Sequence, residues 1–238
     1  MEKQQIDYSE GRLNFRGQLF WDESLRGRRP GVIVFPEAFG LNEHALIRAR
    51  RLAELGYVAF AADPHGDGTV FPDLPSLSPA IRALYGDRNA WRARLRAAFD
   101  ALCAQPQVDS GRIAAIGYCF GGTCCLELAR SGASLAAIVT FHAGLIAEVD
   151  GDAGRVKAKV LICNGADDTM VKPEVLDAVI GEFRRDGVDW QLIHYGNTVH
   201  SFTNPDADER GVANFRYSAV AERRSWAAMR GFMEEVFG

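Results

Sequence analysis

The sequence predicts an α/β protein: a single doubly wound, mostly parallel sheet flanked by helices, with residues 1–238 as one domain. Short apolar runs recur along the chain, each followed by a turn and then a stretch of helical character. Most of these runs are apolar at consecutive positions, without a period of two, which marks strands covered on both faces. A length of 238 residues is also one that α/β architectures commonly fill as a single domain.

Residues 4–20 are read as a leading hairpin. Apolar runs follow at 31–36 (GVIVFP), 58–62 (VAFAA), 112–117 (RIAAIG), 136–141 (AAIVTF), 160–164 (VLICN) and 190–195 (WQLIHY). The last alternates more than the others, which places it nearer a sheet edge. Asn42 is suited to cap a helix that carries Leu46, Ile47, Ala49, Leu52 and Ala53 and stops at Gly56. Further helices are expected at 88–105, 122–130, 173–185 and 214–237. The stretch 69–79 holds three prolines and is expected to be an irregular loop over one face of the sheet.

Composition narrows the function classes. Hydrophobic residues make up 47% of the chain and charged residues 24%, a balance that supports a large core. The net charge of −4 and the pI near 5.8 do not attract polyanions, so no nucleic-acid partner is expected. Arg26, Arg28 and Arg29 lie beside Gly27 and Pro30 in what reads as a loop, and Arg48, Arg50 and Arg51 fit the wet face of the first helix. Met1 to Glu10 is polar and carries acids, unlike a secretory signal, and no run approaches the roughly 18 apolar residues of a membrane span. Cys103, Cys119, Cys124, Cys125 and Cys163 are odd in number, which fits a reducing compartment and a cytoplasmic location. They lack the spacing and the nearby histidine of a zinc site, so no metal is expected, and no glycine-rich phosphate loop implies a cofactor. A monomer or a small homo-oligomer is expected, since no distinct apolar patch points to a dimer.

In an open parallel sheet, ligands gather at the carboxyl ends of the strands, so reactive residues just after each apolar run carry the argument. Cys119 lies in Gly117-Tyr118-Cys119-Phe120-Gly121-Gly122, directly after one run and directly before a helix. This is the G-x-nucleophile-x-G form of the α/β-hydrolase elbow, a strained turn that needs small residues two positions either side. It stands a thiol near a helix N-terminus, whose dipole favours the thiolate. A buried structural cysteine is the plain alternative, and it is the reading adopted for Cys103, Cys124, Cys125 and Cys163. Gly165-Ala166-Asp167-Asp168 follows the run at 160–164, and by spacing alone either aspartate can serve as the acid. His200, five residues after the last run, is the histidine in the expected place, because His194 lies within that run. The order Cys119, Asp168, His200 is that of the α/β-hydrolase fold, each residue at the carboxyl end of a strand.

Together, Pro36-Glu37-Ala38-Phe39-Gly40, Gly117-Tyr118-Cys119-Phe120-Gly121-Gly122, Gly165-Ala166-Asp167-Asp168 and His200-Ser201-Phe202 resemble the dienelactone hydrolases, or carboxymethylenebutenolidases, from Gly31 to the final helix. The resemblance implies that Asp168 is the acid of choice over Asp167. It also implies that Glu37 helps take the thiol proton once substrate binds, and that the backbone N–H groups of Ala38 and Phe120 form an oxyanion hole. The activity implied is opening of an ester or enol lactone through Cys119, Asp168 and His200, with an acyl-thioester intermediate. A thiolate leaves a tetrahedral intermediate as readily as it attacks, so the substrate's own leaving group must depart easily too, and amides are expected to be poor substrates. In the resembled enzymes an arginine just after the H-S-F segment helps hold the substrate carboxylate; here that segment continues Thr203-Asn204-Pro205. Arg82 or Arg88 is left to supply positive charge from the loop side. His142 follows a strand and is a candidate pocket residue, with a hydrogen-bonded structural role as the alternative, and His65 has a similar place. The competing functions are a cysteine esterase or thioesterase for another small activated ester, a catalytically silent binding protein of the same fold, and a redox-sensing thiol protein using Cys119 near Cys124.

Overall fold

The computed structural model describes residues 1–238. Its strands are β1 (Glu2–Glu10), β2 (Leu13–Trp21), β3 (Arg29–Phe35), β4 (Val58–Ala61), β5 (Val108–Tyr118), β6 (Ala137–Phe141), β7 (Lys159–Gly165) and β8 (Trp190–Tyr195). Its helices are α1 (Glu43–Glu54), α2 (Leu74–Gly86), α3 (Arg88–Cys103), α4 (Phe120–Arg130), α5 (Pro173–Asp186) and α6 (Ala219–Phe237). All eight strands share one sheet in the order β1-β2-β4-β3-β5-β6-β7-β8. β1 and β2 form the expected hairpin and β2 joins β4 antiparallel; from β4 to β8 every pairing is parallel. The alternating strand β8 lies at the edge.

Helices on both faces explain the consecutive apolar runs. In β3, Ile33 and Phe35 enter the core that holds Trp91 and Leu95 of α3, Leu126 of α4 and Phe183 of α5. Val32 and Val34, pointing the other way, enter the core built with Leu52 of α1 and Met229 and Phe232 of α6. Asn42 caps α1 by accepting from the Ala45 N–H at 3.3 Å, and Gly56 at φ +96° lies just past the end of that helix. No helix is long and apolar enough to cross a membrane.

Three expectations need correction. The stretch 69–79 is not wholly irregular, because α2 begins at Leu74. Asp73 caps that helix by accepting from the Ser76 N–H at 2.9 Å, and Pro75 stands in the first turn, where a missing N–H costs nothing. Pro79 lies inside the helix, and the neighbouring Ser78 hydroxyl donates back to the Leu74 carbonyl at 2.7 Å. The last helix starts at Ala219, capped by Ser218, and the residues from Asn214 onward form a separate loop. Arg48 is not on a wet face: it is buried and donates to Glu222 Oε1 at 2.6 Å and to the Thr203 carbonyl at 2.6 Å.

Beneath the cores runs a buried ionic network. Arg130 of α4 is fully buried and donates to Glu127 at 2.9 Å and to both oxygens of Glu182 on α5 at 3.1 and 2.5 Å. Arg92 of α3 extends it, donating to Glu127 at 2.8 Å and to both oxygens of Asp152 at 2.7 Å.

Candidate active site

β5 ends at Tyr118, α4 begins at Phe120, and Cys119 between them has φ +54° and ψ −117°. The glycines of this turn are required by contact. A Cβ on Gly117 would lie 2.0 Å from the Gly121 carbonyl oxygen, and one on Gly121 would lie 2.2 Å from that of Phe35. Gly122 packs equally closely, since a Cβ there would meet the Ala143 side chain at 2.5 Å. The Cys119 N–H donates to the Phe141 carbonyl at 3.0 Å, which ties the elbow to β6. Cys119 is half-buried, whereas Cys124, Cys125 and Cys163 are buried. Burial raises the Cys163 thiol pKa to about 12 and that of Cys103 to about 11, and it pushes Cys124 and Cys125 well up, so these four stay protonated.

His200 follows β8 and is fully buried, with Nδ1 2.7 Å from Asp168 Oδ2. The carboxylate only accepts, so Nδ1 carries the proton and Nε2 faces outward. Nε2 makes no hydrogen bond within the protein, and the charge that most raises the ring's pKa is that of Cys119. Burial pulls the His200 pKa down, but the Cys119 charge, the Asp168 hydrogen bond and the Cys119 hydrogen bond outweigh it and raise it to about 10. Of the two aspartates after β7, Asp168 is the buried one beside the histidine, and Asp167 is exposed. Asp168 Oδ1 accepts from the Met170 N–H at 2.9 Å and from Asn214 Nδ2 at 3.2 Å, so the whole carboxylate is fixed.

Glu37, just after β3, is buried against the loop that carries His200. The Ser201 hydroxyl donates to its Oε1 at 3.0 Å and the Asn204 amide to its Oε2 at 2.6 Å. No cation pairs with it. Removing the amide leaves one oxygen of a buried carboxylate unpartnered, so Asn204→Ala is expected to lower stability by about 2 kcal/mol. A urea midpoint unchanged from wild type would show that water replaces the amide at no cost.

Ala38 and Phe120 both border the space over Cys119. The Ala38 N–H has no acceptor in the protein, and Phe120, as the first residue of α4, has none within its helix. His65 holds both residues: its Nε2 donates to the Ala38 carbonyl at 2.7 Å, and its ring lies parallel to that of Phe120 at 6.0 Å. His142 does not reach the pocket. It is fully buried with Nε2 2.8 Å from Thr203 Oγ1, and its ring packs edge-on against His200 at 5.2 Å. Phe202, His200 and Tyr118 close around the imidazole, as the hydrogen-bonded structural role requires. Arg82 does border the pocket and is exposed. Arg88 points elsewhere, donating to the Ala147 carbonyl at 2.9 Å and to Glu127 at 3.4 Å.

Several orienting residues escaped the sequence reading. Asn214 and Asn204 hold the two carboxylates from loops distant in sequence, and Phe215 pairs by a bridge with His200. Only Asn204 carried a signal, as a polar residue two positions after the His200-Ser201-Phe202 motif.

Comparisons with known proteins identify the family. Residues 15–237 match the model of the dienelactone hydrolase family. A solved structure of a dienelactone hydrolase-like promiscuous phosphotriesterase from metagenomic libraries is 57% identical, with a TM-score of 0.98 over 100% of this chain and 99% of the other. A carboxymethylenebutenolidase of a Pseudomonas strain is 30% identical over 184 residues, covering 74% of this chain and 75% of the relative. The dienelactone hydrolase of Anabaena variabilis, at 18% identity and a TM-score of 0.65 over 96% and 97% of the two chains, shares the fold. The chain belongs to the dienelactone hydrolase family and is a carboxylic-ester hydrolase of the α/β-hydrolase fold.

Proposed function

We propose that the chain opens esters and enol lactones with Cys119 as nucleophile, through an acyl-thioester. The observation that carries this reading is the thiol on a strained elbow, coupled electrostatically to a histidine whose Nε2 is free and whose Nδ1 is held 2.7 Å from Asp168. The Cys119 thiol passes its proton to His200 Nε2, the sulfur attacks the carbonyl carbon, a C–S bond forms, and the carbonyl pair moves onto oxygen, where the Ala38 and Phe120 N–H groups receive it. Collapse breaks the C–O bond and releases an enolate or alkoxide, which takes its proton from the His200 imidazolium. Water then gives a proton to His200 Nε2, attacks the thioester, and expels the thiolate.

The electrostatics time this exchange. Of the causes that raise the His200 pKa, the Cys119 charge is the largest, and acylation removes it. The imidazolium therefore loses its proton readily once the thioester exists, which is when a base is needed. Glu37 accepts one hydrogen bond on each oxygen, from the Ser201 hydroxyl and the Asn204 amide, and keeps a lone pair on each with which to help take the thiol proton.

Asp168 raises the His200 pKa, so neutralising it must lower that pKa. Asp168→Asn is expected to move the His200 ring titration to lower pH in NMR spectra and to reduce kcat by about 10⁴-fold, the scale on which triad acids act. A ring that titrates at the wild-type pH would sever Asp168 from this role. The function itself is tested with a p-nitrophenyl ester, the p-nitroanilide of the same acid, and dienelactone. The ester is expected to turn over and the anilide to be at least about 10³-fold slower, because an amine leaves less readily than the thiolate. Comparable rates on ester and anilide would rule against the thiol mechanism.

A second reading is favoured by the 57% likeness to the promiscuous phosphotriesterase. On a neutral dialkyl aryl phosphate, the same sulfur attacks phosphorus, the aryl oxide leaves, and water frees the sulfur. Release of p-nitrophenolate from diethyl p-nitrophenyl phosphate, lost in Cys119→Ala, is the expected sign of it.

A further inference from the structure

We propose that the group seated beside Cys119 is uncharged and apolar, an aryl or medium-chain alkyl residue, so that the preferred substrates are neutral esters; this rests on the ester-hydrolase reading above. Between α2 and the elbow lies a cavity of about 400 Å³, within the size range of small-molecule sites. One face of α2 builds it, with Leu74, Leu77, Ile81 and Tyr85 spaced three to four residues apart, and Phe120 and Met170 stand opposite. Ten large hydrophobic residues of the chain are exposed, and three of them, Leu74, Tyr85 and Met170, converge on this cavity. Apolar side chains left uncovered around a nucleophile mark a surface that a ligand covers.

Charge points the same way. Arg82 is the one charged side chain of the cavity wall; it is exposed and makes no ion pair. An exposed guanidinium returns little for a carboxylate that must shed its water to enter, since exposed pairs are weak and desolvation is costly. Glu37, next to Ala38 of the cavity wall and paired with no cation, opposes a negatively charged substrate. At the position after Thr203, Asn204 spends its amide on Glu37 and offers a substrate no positive charge. A neutral group, by contrast, gains roughly fourfold in binding for each methylene it buries.

The test compares p-nitrophenyl 4-methylpentanoate with mono-p-nitrophenyl succinate, which has nearly the same shape and a charged end. The neutral ester is expected to have a kcat/KM at least about 30-fold higher, and kcat/KM is expected to rise roughly threefold per methylene from acetate to hexanoate. Ile81→Arg, which adds a cation to the helix face, is expected to move the neutral-to-anionic ratio at least tenfold toward the succinate. A succinate ester hydrolysed as fast as the neutral one by wild type overturns the proposal. A second measurement needs no turnover: alkylation of Cys119 by neutral N-benzyl iodoacetamide against anionic iodoacetate, each relative to a free thiol. Faster labelling by the neutral reagent supports the apolar pocket even if no ester is hydrolysed, a result that would sink the hydrolase reading alone. Preference for iodoacetate overturns the pocket while leaving a Cys119-dependent hydrolase intact.

Discussion

Cys119→Ala is expected to lower kcat/KM for any ester substrate by at least about 10⁴-fold, because it removes the nucleophile of the covalent intermediate. The remaining cysteines cannot substitute: burial keeps the thiols of Cys124, Cys125 and Cys163 protonated, and Cys103 ends a helix remote from the elbow. Stability should stay within about 1 kcal/mol of wild type, since alanine occupies the same backbone conformation and loses one half-buried sulfur. Cys119→Gly separates activity from strain. At φ +54° and ψ −117° a side chain is disfavoured, so glycine is expected to raise the melting temperature by about 2–4 °C while abolishing turnover. Thermal scans and ester assays on both variants check the pair. Residual Cys119→Ala activity within tenfold of wild type would assign the chemistry to another group.

The second large effect falls on stability. Arg130→Met is expected to cost about 3–5 kcal/mol and to lower the melting temperature by about 10 °C. Glu182 is buried and receives both of its side-chain hydrogen bonds from Arg130, so the substitution leaves a carboxylate in the interior with no partner. Glu127 keeps Arg92 and Arg88 and is affected less. The double variant Arg130→Met with Glu182→Leu is expected to regain most of the loss, because exchanging a whole buried pair for apolar groups is nearly neutral whereas breaking it is not. Chemical denaturation of the two proteins decides the matter. A single substitution costing under about 1 kcal/mol would show that water reaches Glu182. Since α4 carries the elbow at its start and Arg130 at its end, the network also anchors the helix that presents Cys119.

What could be read in advance was what local chemistry dictates. The run Val32 to Phe35 is apolar on both faces because each face meets a helix layer, and that requirement is written in consecutive residues. The elbow was legible for a stricter reason: only glycine fits at Gly117 and Gly121, so the strain of the turn is visible as composition. α2 was missed because its prolines were weighed as breakers, while the Asp73 cap and the first-turn place of Pro75 make the same residues a helix start. Arg48 was misplaced because its partners, Glu222 and the Thr203 carbonyl, lie more than 150 residues away and nothing near Arg48 announces them. Asn214 was read as the start of a helix; its hold on Asp168 exists only once the loop folds back over β7.

The central claim is that acyl groups pass through the Cys119 sulfur. Its most direct test is peptide mass mapping of wild-type protein quenched in acid during turnover of p-nitrophenyl acetate. The account predicts one acetyl group, on the peptide containing Cys119, absent from Cys119→Ala and removed by neutral hydroxylamine as a thioester is. An acetyl group on another residue, or steady turnover with Cys119 never modified, would contradict it.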